Sequence, residues 1–172
     1  LQFLNEKLRN NKEIVLAALQ QNGLALEYAN KRFRNTKAIV LYAVKRNGNA
    51  LLHASEKLKK IKEIVIASVQ QDGHVLKFVN NELKNDKEVV ITAVNQNGHA
   101  LQHANERFRN TKEIVLAAVN KNGWTLRHAN KRLINIKEIV LAAVNQSGWA
   151  LYDASEKLKN DKEIVLAAVN QS

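Results

Sequence analysis

The 172-residue chain carries 27 Lys and Arg against 16 Asp and Glu, a formal charge of +11. It has no cysteine, methionine or proline, which excludes disulfides and thiolate metal sites. Its longest apolar runs, such as Ile114 to Val119, are far short of the ~20 residues of a membrane span, so the chain is expected to be soluble. No compartment follows from this: a cytoplasm or a host-cell interior would both suit it.

From Asn10 onward one stretch recurs every 25 residues, most clearly as Asn110-Thr-Lys-Glu-Ile-Val-Leu-Ala-Ala-Val-Asn-Lys-Asn-Gly123. Such a period marks a repeat architecture. The units are 1–25, 26–50, 51–75, 76–100, 101–125, 126–150 and 151–172. The first residues, Leu1-Gln-Phe-Leu, already read as repeat rather than signal peptide. The chain opens at a unit boundary and stops within one, as expected of a piece of a longer repeat protein.

Within a unit, the first helix is expected from the residue after glycine to the ninth position. In the fifth unit Leu101, Ala104 and Phe108 give it one narrow apolar face. Basic residues such as Arg107 and Arg109 gather at its end, where cations suit the helix dipole. The second helix is expected to begin at asparagine. There Asn110 with Glu113, like Asn10/Glu13, Asn85/Glu88, Asn135/Glu138 and Asn160/Glu163, reads as a capping box. Ala38 and Lys60 interrupt that pair in units two and three, predicting weaker caps, while Ile61 and Ile136 would lie inside the helix. All six glycines fall at one position (23, 48, 73, 98, 123, 148), which predicts a left-handed stop.

Two short helices are marginal alone in water, so stacking must supply the stability. The expected fold is an all-α solenoid of seven two-helix repeats. The rival, a single long coiled coil, is argued against by the recurring glycine and the lack of a sustained heptad. The unit Asn135-Ile-Lys-Glu-Ile-Val-Leu-Ala-Ala-Val-Asn-Gln-Ser-Gly-Trp-Ala-Leu-Tyr-Asp-Ala-Ser-Glu-Lys-Leu-Lys159 resembles an uncharacterised tandem-repeat family, a domain of unknown function. The resemblance covers essentially the whole chain. It implies a helical repeat found in intracellular bacteria, effector-type proteins included, and in some protists. It carries over no catalytic residue, and this chain departs from it toward arginine, histidine and net basic charge.

Residues that vary between units are the candidates for recognition. Histidines and tryptophans occupy the position after glycine and the one four residues later. Tyr28, His53, His74, His99, His103, Trp124, His128 and Trp149 form the candidate partner-binding column. Four apart on an α-helix places each pair on one face. The competing structural reading packs the residue after glycine back onto the helix it leaves. Arg32, Arg34, Lys45, Arg46, Arg107, Arg109 and Arg132 are the candidate anion contacts. The second unit alone sets six cations, Lys31, Arg32, Arg34, Lys37, Lys45 and Arg46, against Glu27.

His99 and His103 have a two-ligand spacing, but residues 99–103 read His-Ala-Leu-Gln-His and supply no third ligand or zinc motif. No metal, cofactor or catalytic residue is assigned. The lysine at 12, 37, 62, 87, 112, 137 and 162 opposes the helix dipole. Pairing with the adjacent unit, covering the core and lining a binding face all remain open for it. The expected function is non-enzymatic protein binding by a scaffold. The alternative is nucleic-acid or anionic-surface binding, marked by steep salt dependence.

Overall fold

The computed structural model describes residues 1–171; Ser172, the end of the seventh unit, lies outside the described residues. Each unit contributes one long α-helix, at Lys12–Gln21, Lys37–Arg46, Lys62–Gln71, Lys87–Gln96, Lys112–Lys121, Lys137–Gln146 and Lys162–Asn170. Successive long helices pack side by side along the chain. In the fifth unit Ile114, Val115, Ala118 and Val119 of the inner face are buried, whereas the terminal helices bury only Val15 and Leu19 or Ile164 and Ala168. With Leu26, Leu76, Leu101 and Leu126 they belong to one core running the length of the array. The all-α repeat solenoid is the observed architecture.

The expected first helix is divided in two. Six residues from each glycine form a 3-10 helix, such as Gly23–Tyr28 and Gly98–His103, and a one-turn helix follows, such as Lys31–Arg34 or Glu106–Arg109. Between them the chain is extended, at Ala29 (ψ 151°) and Asn30 (ψ 147°). The break lets the units join through the backbone. The amide of Ser55 donates to the Arg34 carbonyl at 2.9 Å, and that of Asn130 donates to Arg109 at 2.8 Å. Asn30 and Asn105 then restart the helix, their side chains accepting from Arg32 and Arg107 amides. The 3-10 helices pack on one another as a second layer, each against the long helix it follows and the next one.

The cap of the long helix lies one residue later than the capping-box spacing implied. Asn110 and its counterparts at 10, 35 and 160 end the preceding single turn. The N-cap is the following residue. Asn11, Asp86 and Asp161 cap with their side chains, whereas Thr36, Ile61, Thr111 and Ile136 make no side-chain cap. Ile61 and Ile136 are therefore N-cap residues, not helix interior, and their side chains pack on the core. The hydroxyls of Thr36 and Thr111 turn backward and donate to the Arg32 and Arg107 carbonyls at 2.7 Å.

The glycines are not left-handed stops, because none of them has positive φ. They open the 3-10 helices, five of which are bonded at the start by the preceding side chain, as Asn97 accepts from His99 N at 2.9 Å; Ser147, before Gly148, makes no such bond. What requires glycine is distance. A Cβ on Gly48 would stand 2.5 Å from the Ser68 carbonyl oxygen in the next long helix. Gly23, Gly73, Gly98 and Gly123 meet the carbonyls of Ala43, Ala93, Ala118 and Ala143 in the same way.

Candidate binding face

The 3-10 helices carry the candidate column, and their geometry rearranges it. At about three residues per turn, positions four apart point in different directions. The rings that meet belong to different units. His99 and His128 lie edge to face with centroids 6.4 Å apart, and His74 acts electrostatically on His103. The residue after glycine thus neighbours, in the next 3-10 helix, the residue five beyond that helix's glycine. Among the described residues no three His, Asp or Glu side chains are grouped to hold a metal.

The next unit also fixes the residue after glycine. Asn122 Nδ2 lies 2.9 Å from His99 Nε2, Asn97 Nδ2 lies 3.1 Å from His74 Nδ1, and Asn49 Nδ2 donates to Asp72 at 2.9 Å. Burial lowers the pKa of His103 and His128 from the ordinary 6.5. Lys84, Lys77, His74 and His128 add to the effect at His103, and His99, Arg127 and Arg109 add to it at His128, opposed by Asp153.

The two tryptophans differ in exposure, Trp124 at 39% and Trp149 at 68%. Trp149 lines an open cleft of about 370 Å³ with Leu151, Tyr152 and Lys159. Trp124 is partly covered by the Arg127 guanidinium, 5.1 Å from its ring centre, and Arg127 reaches Asp153 of the next unit at 3.4 Å. Phe78 and Tyr152 are further exposed aromatics of the 3-10 helices outside the candidate set, Tyr152 the more exposed of the two. Tyr152 sits three residues past its tryptophan, the period of a 3-10 turn, which a four-residue helical spacing passes over.

The seven candidate anion contacts do not come together. Arg32 and Arg107 bind the preceding unit, each donating from Nη2 at 2.6 Å to the Asn10 or Asn85 carbonyl and stacking on Phe33 or Phe108. Lys45 and Arg46 lie on the exposed side of a long helix, with Arg46 over Tyr42, and Arg132 is exposed in the sixth unit. Only Arg34 and Arg109 stand beside the variable face, where their Nε atoms are buried without a partner. Arg9 and Lys84, absent from the candidate set, stand in the same relation to it. Arg9 and Arg34 line a recess with Tyr28, Arg34 lines one with His53, and Lys84 and Arg109 act on His103 and His128. Their regular recurrence at the ninth position was the available signal, and the helix-dipole explanation accounted for it without a site.

Among the described residues the recurring lysine forms ion pairs at five of its seven positions. Lys37 pairs with Glu63, Lys62 with Asp86 and Glu88, Lys87 with Glu113, Lys112 with Glu138, and Lys137 with Asp161 and Glu163. Each bridge joins one unit to the next.

These features define an α-helical tandem-repeat solenoid with a variable face of short helices. The chain belongs to the family described as a domain of unknown function, DUF4116, whose model matches residues 1–34, 11–59, 61–106, 86–134 and 136–172. No curated protein and no solved structure matches the chain. Among the described residues no helix is long and apolar enough to cross a membrane.

Proposed function

We propose that the array is a non-enzymatic scaffold that binds a protein partner on the face formed by its 3-10 helices. The observation carrying this reading is the exposure there of large unit-specific aromatics, Trp149, Tyr152, Phe78 and Trp124. Aromatic side chains held on a rigid backbone offer much contact area at little entropic cost, which suits them as interface anchors. The residues repeated in every unit are spent on core, caps and bridges, leaving this face free to vary. The test is capture of partners of the parent protein by wild type, Trp149→Ala and Trp124→Ala, with Lys45→Ala as a control on the opposite face. Loss of a partner in the tryptophan variants alone supports the reading; retention in all of them removes it.

Nucleic-acid binding is the second reading, favoured by the placement of Arg9, Arg34, Lys84 and Arg109 beside Tyr28, His53, His103 and His128. Cations interleaved with rings can hold phosphates while bases stack. Titration with single-stranded and duplex oligonucleotides, followed by tryptophan emission at two salt concentrations, separates the readings. Binding to one nucleic-acid form that survives moderate salt favours the second, whereas weak binding to every polyanion that salt abolishes counts against it.

A further inference from the structure

The bridge between units is missing at one junction. Five junctions pair a lysine with the glutamate of the next unit. At the first junction the lysine is Lys12, and the residue facing it from the next helix is Ala38. Among the described residues Lys12 has no ionic partner.

A cleft of about 540 Å³ lies at this junction, lined by Lys12, Leu16, Arg32, Thr36, Ala38 and Tyr42, with Phe33 and Ile39 also in its wall. Tyr42 is the second departure in the same unit. The equivalent position is Ala17, Ala67, Ala117, Ala142 or Ala167 in five others and Thr92 in the remaining one. Ala38 and Tyr42 stand four apart on one α-helix and hence on the same face. One substitution removes a carboxylate and the other adds a phenol, both into one cleft. Arg32 uses one N–H on the Asn10 carbonyl and keeps others at the cleft.

We propose that this cleft binds an acidic side chain of a partner protein, a glutamate or aspartate next to an apolar residue. Its carboxylate takes the place at Lys12 that a glutamate holds at the other five junctions. The repeat supplies the template: at each of those, the group beside the lysine is a glutamate from the first turn of a helix. The charge complementarity is local, since Lys12 and Arg32 are the ionisable cations of the lining and no carboxylate accompanies them. The walls of Leu16, Phe33 and Ile39 suit the neighbouring apolar side chain. No residue of the 3-10 helices lines the cleft, so the site is independent of the face proposed above.

Ala38→Glu tests this directly, because it restores the residue that six of the seven units carry and so spares the fold. An array of short capped peptides, each with a central glutamate flanked by varied apolar residues, is probed with wild type, Ala38→Glu, Lys12→Gln and Trp149→Ala. The same peptides with glutamine at the centre are the charge control. Wild type and Trp149→Ala should retain the glutamate peptides, and Ala38→Glu and Lys12→Gln should bind them roughly tenfold more weakly or worse, as expected for losing one charge-assisted contact. Equal retention by Ala38→Glu overturns the proposal, as does the absence of any glutamate-dependent peptide. Binding of octanoate or an oligonucleotide in place of peptide, lost in Ala38→Glu, would overturn the assignment to a protein partner. A thermal melt of Ala38→Glu no lower than wild type confirms that blocked binding is not unfolding.

Discussion

At the glycines the missing side chain serves contact rather than conformation, since every glycine has an ordinary φ. Gly48→Ala should therefore destabilise the array through a clash with the Ser68 carbonyl, by about 1–3 kcal/mol in urea unfolding. The caps give a second residue-scale expectation. Asp86 accepts from the amides of Glu88 and Val89, so Asp86→Ala should cost about 0.5–2 kcal/mol. Asp86→Asn keeps an acceptor oxygen and should retain most of that in the same measurement. The sequence marked the glycine and the polar run before the long helix, yet misread the purpose of one and the register of the other. Asn10 and Asn11 are both good capping residues, and only the backbone shows that the first ends a turn while the second starts one.

Among the elements, the long helices were legible because Ile-Val-Leu-Ala-Ala-Val followed by a polar stop has only one helical reading. The 3-10 segments were not. Leu101 and Ala104 are three apart, a spacing that an α-helix and a 3-10 helix both place on one side, and a helix break such as the one before Ser55 depends on a hydrogen-bond partner in another unit. The four-residue spacing pairs the variable residues within one helix, whereas His99 meets His128 of the next 3-10 helix. The bridges linking the long helices are exposed, with Lys112 and Glu138 side chains 50% and 59% accessible. A double-mutant cycle with Lys112→Ala and Glu138→Ala should give a coupling of about 1 kcal/mol or less. High salt should erase it. The bridges add little to stability, and a repeated weak bond along one edge favours alignment of neighbouring units over strength.

For the whole array, pH acts first through two half-buried imidazoles, His103 and His128. Below the unfolded value of 6.5, the unfolded chain binds protons that folded His103 and His128 resist, because their folded pKa is lowered. Stability should be full above that value and should fall as pH drops through the lowered pKa values. A melting-temperature series should show this decline, and His103→Gln with His128→Gln should flatten it. A separate loss comes at stronger acid. Asp86 and Asp161 have pKa values lowered first by their hydrogen bonds to Lys62 and Lys137, so their contribution persists until those carboxylates protonate below about 3.8. The glycine contact has one more consequence at this scale. Because main chain meets main chain where units join, their spacing is set by atoms that no substitution outside the glycines alters. The array is a ruler with fixed graduations, and what is inscribed at each mark can change without moving the next. A histidine exchanged for a tryptophan on the outer face rewrites one character and leaves the line length untouched, so binding specificity can drift unit by unit while the scaffold stays in register.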